Sequence, residues 1–255
     1  MTRLTDYPLL LSLVSVLVLW GAALAGGVLR RRHQLERDVR EDFGVILAAT
    51  LTLLGLIIGF SFSMAVGRYD QRKNYEEAEA NAIGTEYVRA DLLPAAAAAN
   101  VRALLSRYLD QRILFYMARD PQQVVQINAE TARVQAALWT AVQVPASEQP
   151  TFVVLGLAVA GMNDVLNSQG YTQAAWWNRI PPAAWGLMGS IAICCNLLVG
   201  YGEHGQKVNP HLLLILPVLV AVAFLLIADI DSPNGGIIRV QPHNLVSLAD
   251  SLRTH

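Results

Sequence analysis

Four long apolar stretches alternate with polar stretches along the chain, and this alternation predicts the architecture. They cover residues 8–29, 44–67, 182–202 and 212–228. The 24 residues of 44–67 carry no charged side chain, and at about 1.5 Å per residue they exceed the roughly 30 Å hydrocarbon core of a bilayer. The pattern therefore predicts four transmembrane helices, with short polar loops at 30–43 and 201–210.

The first apolar stretch has a competing interpretation as a secretory signal peptide. A signal peptide carries its basic residues before a shorter apolar core, whereas Arg30, Arg31 and Arg32 follow this one. We therefore interpret residues 8–29 as a retained transmembrane helix.

A long polar segment, residues 68–179, separates the second apolar stretch from the third. Its first part is rich in helix formers, and no proline intervenes before Pro94. Because proline is the residue that breaks a helix interior, the second transmembrane helix is predicted to continue into this segment. The resulting rod, Gly44 to Asp91, is the element around which the chain is organised.

Three further helices are predicted inside the polar segment from apolar periodicity and capping residues. The first of them covers about 95–118, and the next begins at Pro121 behind the N-cap Asp120. The last opens with Ser147 as a cap. Its apolar run 152–162 is too short to span a membrane and is predicted to be a buried core helix.

The predicted fold class is an all-α integral membrane protein, with four transmembrane helices and a soluble helical domain inserted between the second and the third. Four parts follow from the pattern along the chain. They are a first transmembrane hairpin at 1–67, the soluble helical domain at 68–179, a second transmembrane hairpin at 180–228 and an extended C-terminal tail at 229–255.

The composition places much of the chain in lipid. Hydrophobic residues make up 54% of the chain and charged residues only 15%, whereas soluble domains carry about 25% charge. The net charge of −1 and the absence of a basic face argue against nucleic acid as a partner. The lipid bilayer is the partner that the composition indicates.

The sequence carries no signature of an enzyme. It contains no GxSxG, HExxH or glycine-rich phosphate loop. Its five histidines share no ligand spacing, and Cys194 and Cys195 are adjacent within an apolar run. We therefore predict that the protein is not an enzyme.

The second apolar stretch presents two neighbouring strips when it is drawn as a helix. Gly55 and Gly59 form a GxxxG pair, which favours close packing against another helix because small residues let backbones approach in lipid. A second strip is predicted to line a pore, where large apolar side chains form a constriction that gates by dewetting. This strip consists of Thr52, Leu56, Phe60, Ser63 and Gly67.

Charged residues follow at once where this helix leaves the membrane. Arg68, Asp70 and Arg72 are interpreted either as an interfacial anchor with an Asp–Arg pair or as a ring of charge at a pore mouth. In a symmetric assembly such a ring biases which ions enter.

Two acidic residues close the last apolar stretch. Asp229 and Asp231 precede a turn-forming Ser-Pro-Asn-Gly sequence, which favours a solvated membrane end or a helix-end turn. Because carboxylates are ligands that Ca²⁺ prefers, a calcium site is the less favoured alternative, and no other cofactor is predicted. Asn196, within the third apolar stretch, is predicted to bond a neighbouring helix.

Residues 59–84, with a Gly-Phe pair late in the second apolar stretch and a Tyr-Asp-x-Arg exit, resemble bacterial bestrophins. Residues 79–95 and 228–243 are similar to two recurrent signatures of the bacterial bestrophin-like membrane family, whose function is unknown. The family is distantly similar to bestrophins, which are pentameric anion channels with a pore-lining second helix and a cytosolic helical domain. The resemblance implies that Leu56 and Phe60 form a hydrophobic neck and that Thr52 lies one turn further in.

Two features of this sequence depart from that resemblance. The acidic run of the calcium clasp in animal bestrophins is absent, apart from Asp229 and Asp231. The basic loop from Arg30 to Arg40 is the cytoplasmic candidate by the positive-inside rule. That orientation places both termini and the helical domain outside, opposite to the arrangement that the resemblance implies.

The sequence therefore predicts a homo-oligomeric ion channel in the cell (inner) membrane. The resemblance implies a pentamer that conducts inorganic anions such as chloride. The alternative is a non-conducting signalling or scaffold protein whose helical domain binds a partner. A transporter is a weaker third hypothesis, because broken helices and midplane ionisable groups are not evident.

Overall fold

The structure is a computed structural model that describes residues 4–32, 37–148, 153–202 and 211–254. These residues form eight α-helices and no strand, which confirms the all-α prediction. The helices are α1 Pro8–Arg32, α2 Arg37–Arg89, α3 Ala95–Met117, α4 Pro121–Glu148, α5 Val153–Trp177, α6 Pro182–Gly202, α7 Ile215–Asp231 and α8 His243–Arg253. Most of the predicted 201–210 turn and part of the predicted 30–43 loop lie outside the described residues.

Four helical segments contain an apolar window long enough to cross a membrane, as the sequence predicted. They are Pro8–Arg31, Asp42–Leu92, Val153–Gly202 and Leu212–Asp231. The second segment contains most of α2, which is one continuous helix from Arg37 to Arg89. The predicted continuation of the second transmembrane helix into the polar segment is thus confirmed.

The described residues divide into two compact units, with the border inside α2. The membrane unit consists of Met1–Arg68 and Arg179–Arg239, and the helical unit consists of Tyr69–Asn178 and Val240–His255. In the membrane unit α1 packs along α6 and α7. In the helical unit the buried apolar side chains come from the second half of α2 and from α3, α4, α5 and α8.

Glycines set the distance between α1 and α6. A Cβ on Gly26 would lie 2.0 Å from the carbonyl oxygen of Leu197, and a Cβ on Gly200 would lie 1.8 Å from that of Ala23. Only glycine permits this approach of two backbones, which is how small residues stabilise helix pairs in lipid. Among the described residues Asn196 bonds no neighbouring helix, contrary to the prediction, and its amide donates instead to the carbonyl of Ala192 in its own helix at 2.8 Å.

The helical unit has a core that the apolar periodicity anticipated. Leu105, Leu138 and Met162 are fully buried there. One face of the predicted core helix is buried, through Leu155 and Met162, whereas Leu157 on its other face is 52% exposed. The predicted start of that helix at Ser147 is wrong. Ser147 lies inside α4, and its hydroxyl donates to the carbonyl of Val144 at 2.8 Å instead of capping a new helix.

The extended tail predicted for 229–255 is also wrong. The helix α7 continues to Asp231, and after an irregular segment the chain forms α8. Leu245 and Ala249 of α8 are buried in the helical unit. A carboxylate on α2 caps the N-terminus of this helix. Glu76 Oε1 accepts the N–H groups of Asn244 at 2.9 Å and of Leu245 at 3.0 Å. These are donors that a helix N-terminus otherwise leaves unsatisfied.

Candidate functional site

The predicted pore strip lies on the exposed side of α2. Leu56 is 52% exposed and Phe60 is 63% exposed, and the three smaller members are exposed as well. The opposite side of the helix is buried within the protomer, through Leu54, Ser61 and Ala65. Since successive residues turn by about 100° in an α-helix, the strip points away from the rest of its own membrane unit.

The GxxxG pair beside this strip has no packing partner within the described part of the protomer. A Cβ added to Gly55 or Gly59 would meet no atom within 4 Å. This differs from Gly26 and Gly200, where the helices of one protomer touch. Close packing through Gly55 and Gly59 stays a prediction, and it would require a second copy or another protein.

The three charged residues after the apolar stretch have different surroundings. Asp70 is exposed, whereas Arg72 is only 2% exposed and does not present its charge at the protomer surface as a pore-mouth ring requires. Arg68 Nη1 lies 3.6 Å from Asp231 Oδ1 at the end of α7. The anchoring interpretation expected Asp70 to supply the acid of an Asp–Arg pair, whereas the acid that pairs with Arg68 is Asp231 of another helix.

Asp231 is the centre of a buried ionic cluster in the membrane unit, which we call the junction. Its side chain is 1% exposed, and besides Arg68 it has Arg179 Nε at 3.5 Å. Both of its oxygens accept the N–H of Ile180 at 3.1 Å, and Arg179 also pairs with Asp6. The junction therefore ties the point where the chain leaves the membrane unit, Arg68, to the point where it returns, Arg179.

Asp229 closes the turn that follows α7. Its two carboxylate oxygens accept the N–H groups of Ile237 and Ile238, each at 2.8 Å. This geometry fits the helix-end turn that the sequence favoured. Among the described residues no group of three His, Cys, Asp or Glu side chains is arranged to hold a metal, so the calcium alternative stays a prediction without support from these ligands.

A buried ion pair holds three helices of the helical unit together. Glu79 on α2 and Arg112 on α3 are both fully buried, and Arg112 Nε lies 2.5 Å from Glu79 Oε1. Glu79 Oε2 also accepts the hydroxyls of Tyr116 and Thr172 at 3.3 Å. Burial lowers the pKa of the Arg112 guanidinium, but the charge and hydrogen bond of Glu79, together with Tyr108 and Tyr116, outweigh burial, and the net pKa is raised.

A second buried acid in the helical unit is Glu86, beyond the apolar stretch of α2. Neither of its carboxylate oxygens has a hydrogen-bond partner among the described residues, and a Cβ on Gly161 of α5 would lie 2.1 Å from Oε2. The pKa of Glu86 is raised from 4.5 to about 8, chiefly by burial, while the nearby Arg89 opposes the rise and Asp164 adds to it. Glu86 is therefore mainly protonated at neutral pH.

The sequence did not indicate the junction, the Glu79–Arg112 pair or the burial of Glu86. Each depends on which helices meet, and no local spacing connects Arg68 with Asp231. The helix α8 had a weak signal in the sequence. Its apolar residues recur at helical intervals, at Leu245, Leu248, Ala249 and Leu252.

A model of the Bestrophin-like domain matches residues 12–245. The chain belongs to the bestrophin-like family. The resemblance noted in the sequence is thus confirmed, and the characterised proteins with the bestrophin fold are ion channels. Comparison with curated proteins gives no match.

Solved structures share the fold of this bestrophin-like protein. A point variant of a bacterial bestrophin homologue from Klebsiella pneumoniae is 15% identical, with 97% of this chain and 96% of that chain covered and a TM-score of 0.63. Another structure of a bacterial bestrophin homologue from Klebsiella pneumoniae, phased by Zn-SAD, is 14% identical with 96% and 95% covered and a TM-score of 0.61. At such identities the likeness concerns the fold alone. It agrees with a multi-pass membrane protein of bestrophin architecture.

Proposed function

We propose that this bestrophin-like protein is a homo-oligomeric ion channel of the cell (inner) membrane, with α2 lining the pore. The observation that carries the proposal is the exposed, uncharged strip on α2, opposite the face that packs inside the protomer. A transmembrane helix with one face committed and the other open is suited to surround an axis shared with further copies.

Leu56 and Phe60 form the narrowest part of the proposed path. They lie four residues apart, so their side chains stack on one face of the helix, and a ring of such groups excludes water until the ring widens. The hydroxyls of Thr52 and Ser63 flank this constriction. Thr52 Oγ1 donates to the carbonyl of Ala48 at 2.8 Å, which leaves its oxygen lone pairs available on the strip.

The strip itself carries no charge, so ion selectivity has to come from other groups. Anion conduction and a pentameric assembly are proposed from the family resemblance. Asp70 is the exposed one of the three charged residues after the apolar stretch, and Arg68 contributes to the junction rather than to the ion path.

Flux from liposomes tests the proposal. The wild-type oligomer is reconstituted and chloride efflux is compared with Leu56→Ala and Phe60→Ala, each of which widens the constriction. Leu219→Ala, an equally apolar change on an exposed position of α7, is the matched control. We expect both neck variants to raise flux severalfold and the control to behave as wild type. An intact oligomer that passes no ion would reject the channel.

A second candidate function is supported by a surface of the helical unit. A groove of about 490 Å³ between α2 and α8 is lined by small polar residues, among them Asn81, Thr85, Ser247 and Ser251. A non-conducting signalling or scaffold protein would use such a surface to bind a partner. In that case Thr85→Arg, which changes the groove, would abolish partner binding, while Leu56→Ala on the strip would not.

A further inference from the structure

A groove opens on the membrane unit between the beginning of α1 and the end of α7. It has a volume of about 470 Å³, and the turn after α7 forms its third side. Most of its lining is apolar, and the apolar side chains include Tyr7, Leu9, Leu10, Leu226 and Ile238. Two carboxylates, those of Asp6 and Asp229, lie at the same groove.

Close backbone contacts fix the third side of this groove. A Cβ on Gly235 would lie 2.5 Å from the carbonyl oxygen of Asp6, and a Cβ on Gly236 would lie 2.3 Å from that of Asp229. The carboxylate of Asp229 also holds the turn through the N–H groups of Ile237 and Ile238. The groove is therefore a built feature of the fold rather than a gap beside a loose segment.

The groove has an excess of negative charge. In the adjoining junction, the two acids Asp6 and Asp231 are matched by the two bases Arg68 and Arg179. Asp229 is only 7% exposed, and among the described residues no basic side chain pairs with it. Neutral N–H groups are its bonded donors. A buried carboxylate without a counter-charge favours the approach of a cation.

The position of the groove indicates what kind of molecule reaches it. The apolar helices α1 and α7 begin and end here, so the groove lies at one end of the transmembrane stretch, at headgroup level. Its apolar residues Tyr7, Leu9 and Leu10 are exposed where lipid is the solvent. An amphiphile fits these surroundings, with its chain along the leucines and its polar head near Asp229.

We infer that this groove binds a phospholipid with a primary ammonium headgroup, such as phosphatidylethanolamine. The ammonium lies at the carboxylate of Asp229, and one acyl chain lies between α1 and α7. A primary ammonium donates hydrogen bonds in addition to its charge. A trimethylammonium headgroup has the charge but no such donor, and a glycerol headgroup has no positive charge.

Native mass spectrometry of the purified full-length protein tests this inference. Phosphatidylethanolamine, phosphatidylcholine and phosphatidylglycerol with identical acyl chains are added at equal concentration, and the bound lipid is measured. We expect phosphatidylethanolamine to be retained about tenfold more than either other lipid, a ratio that corresponds to about 1.4 kcal/mol. Equal retention, or a preference for either other lipid, would overturn the inference on the wild-type protein alone.

Two variants locate the bound lipid. Leu10→Trp fills the groove and should remove the headgroup preference, whereas Leu13→Trp, on the same helix and 58% exposed outside the groove, should keep it. Asp229→Asn should reduce the preference for phosphatidylethanolamine over phosphatidylcholine. A preference that survives unchanged in a folded Leu10→Trp protein would place the lipid elsewhere and contradict the proposal.

Discussion

The substitution Gly200→Ala tests the contact between α1 and α6 directly. The new Cβ would lie 1.8 Å from the carbonyl oxygen of Ala23, 2.7 Å from its carbonyl carbon and 3.1 Å from its Cα. All three atoms are backbone, so no side-chain rotation relieves the overlap. The two helices would have to separate by more than about 1 Å, since Cβ contacts under 3.0 Å are essentially never seen.

The expected loss of stability follows from that geometry. Overpacking of a well-packed site destabilises a protein by about 1–3 kcal/mol and sometimes more. Replacing a helical glycine by alanine offsets up to about 1 kcal/mol of this loss, because alanine has the higher helix propensity. Gly189→Ala on the same helix is the matched control, because its Cβ meets no atom within 4 Å. The control should be neutral or slightly stabilising.

Thermal unfolding of the purified protein in detergent, followed by tryptophan fluorescence, measures the difference. Each kcal/mol corresponds to about 2–4 °C for a chain of this size, so Gly200→Ala should melt several degrees below wild type. Equal melting temperatures for Gly200→Ala and Gly189→Ala would refute the close approach of α1 and α6.

Two further predictions concern the buried acids. Glu86 binds its proton more tightly in the folded state, with a pKa near 8 against an ordinary value of 4.5, so stability should fall as pH rises from about 4.5 to about 8 and level off above that. Since each pKa unit is worth about 1.4 kcal/mol, the stability of Glu86→Gln relative to wild type should increase by a few kcal/mol as pH rises through this window. A stability difference between the two proteins that stays constant from pH 5 to 9 would contradict this prediction. Asp231→Asn leaves two guanidinium groups of the junction without their shared charge and should cost up to about 3–5 kcal/mol. The exposed control Asp70→Asn should change stability by less than about 0.5 kcal/mol, and equal denaturation midpoints for the two variants would show that the junction is not a stabilising element.

The transmembrane layout could be predicted because an uncharged stretch long enough to cross the bilayer has few structural interpretations other than a transmembrane helix. Residues 44–67 are such a stretch, and the absence of proline before Pro94 extended the prediction to the continuous helix α2. Capping signals were less informative. Ser147 has the right chemistry for an N-cap but bonds within α4, because a hydroxyl serves equally well in the last turn of a helix.

The exposed strip on α2 also followed from periodicity, since Leu56 and Phe60 occupy one face by simple helical geometry. The ionic clusters did not. Glu79 and Arg112 pair across two helices, and Arg68 and Asp231 meet only because the point where α2 leaves the membrane unit lies beside the end of α7. Such long-range pairings depend on tertiary packing, which no local pattern of charges encodes.

Modification of a single thiol on the strip tests the central claim most directly. Phe60→Cys is made in a Cys194→Ala background, because Cys194 is exposed and Cys195 is buried, and chloride efflux from liposomes is followed before and after a charged, membrane-impermeant thiol reagent is added. Leu219→Cys in the same background is the control. If α2 lines a water-filled path, the reagent should label Phe60→Cys and sharply change its efflux while leaving the control unaffected. An intact oligomer with no efflux, or an efflux rate that is unchanged by complete labelling at position 60, would contradict the account.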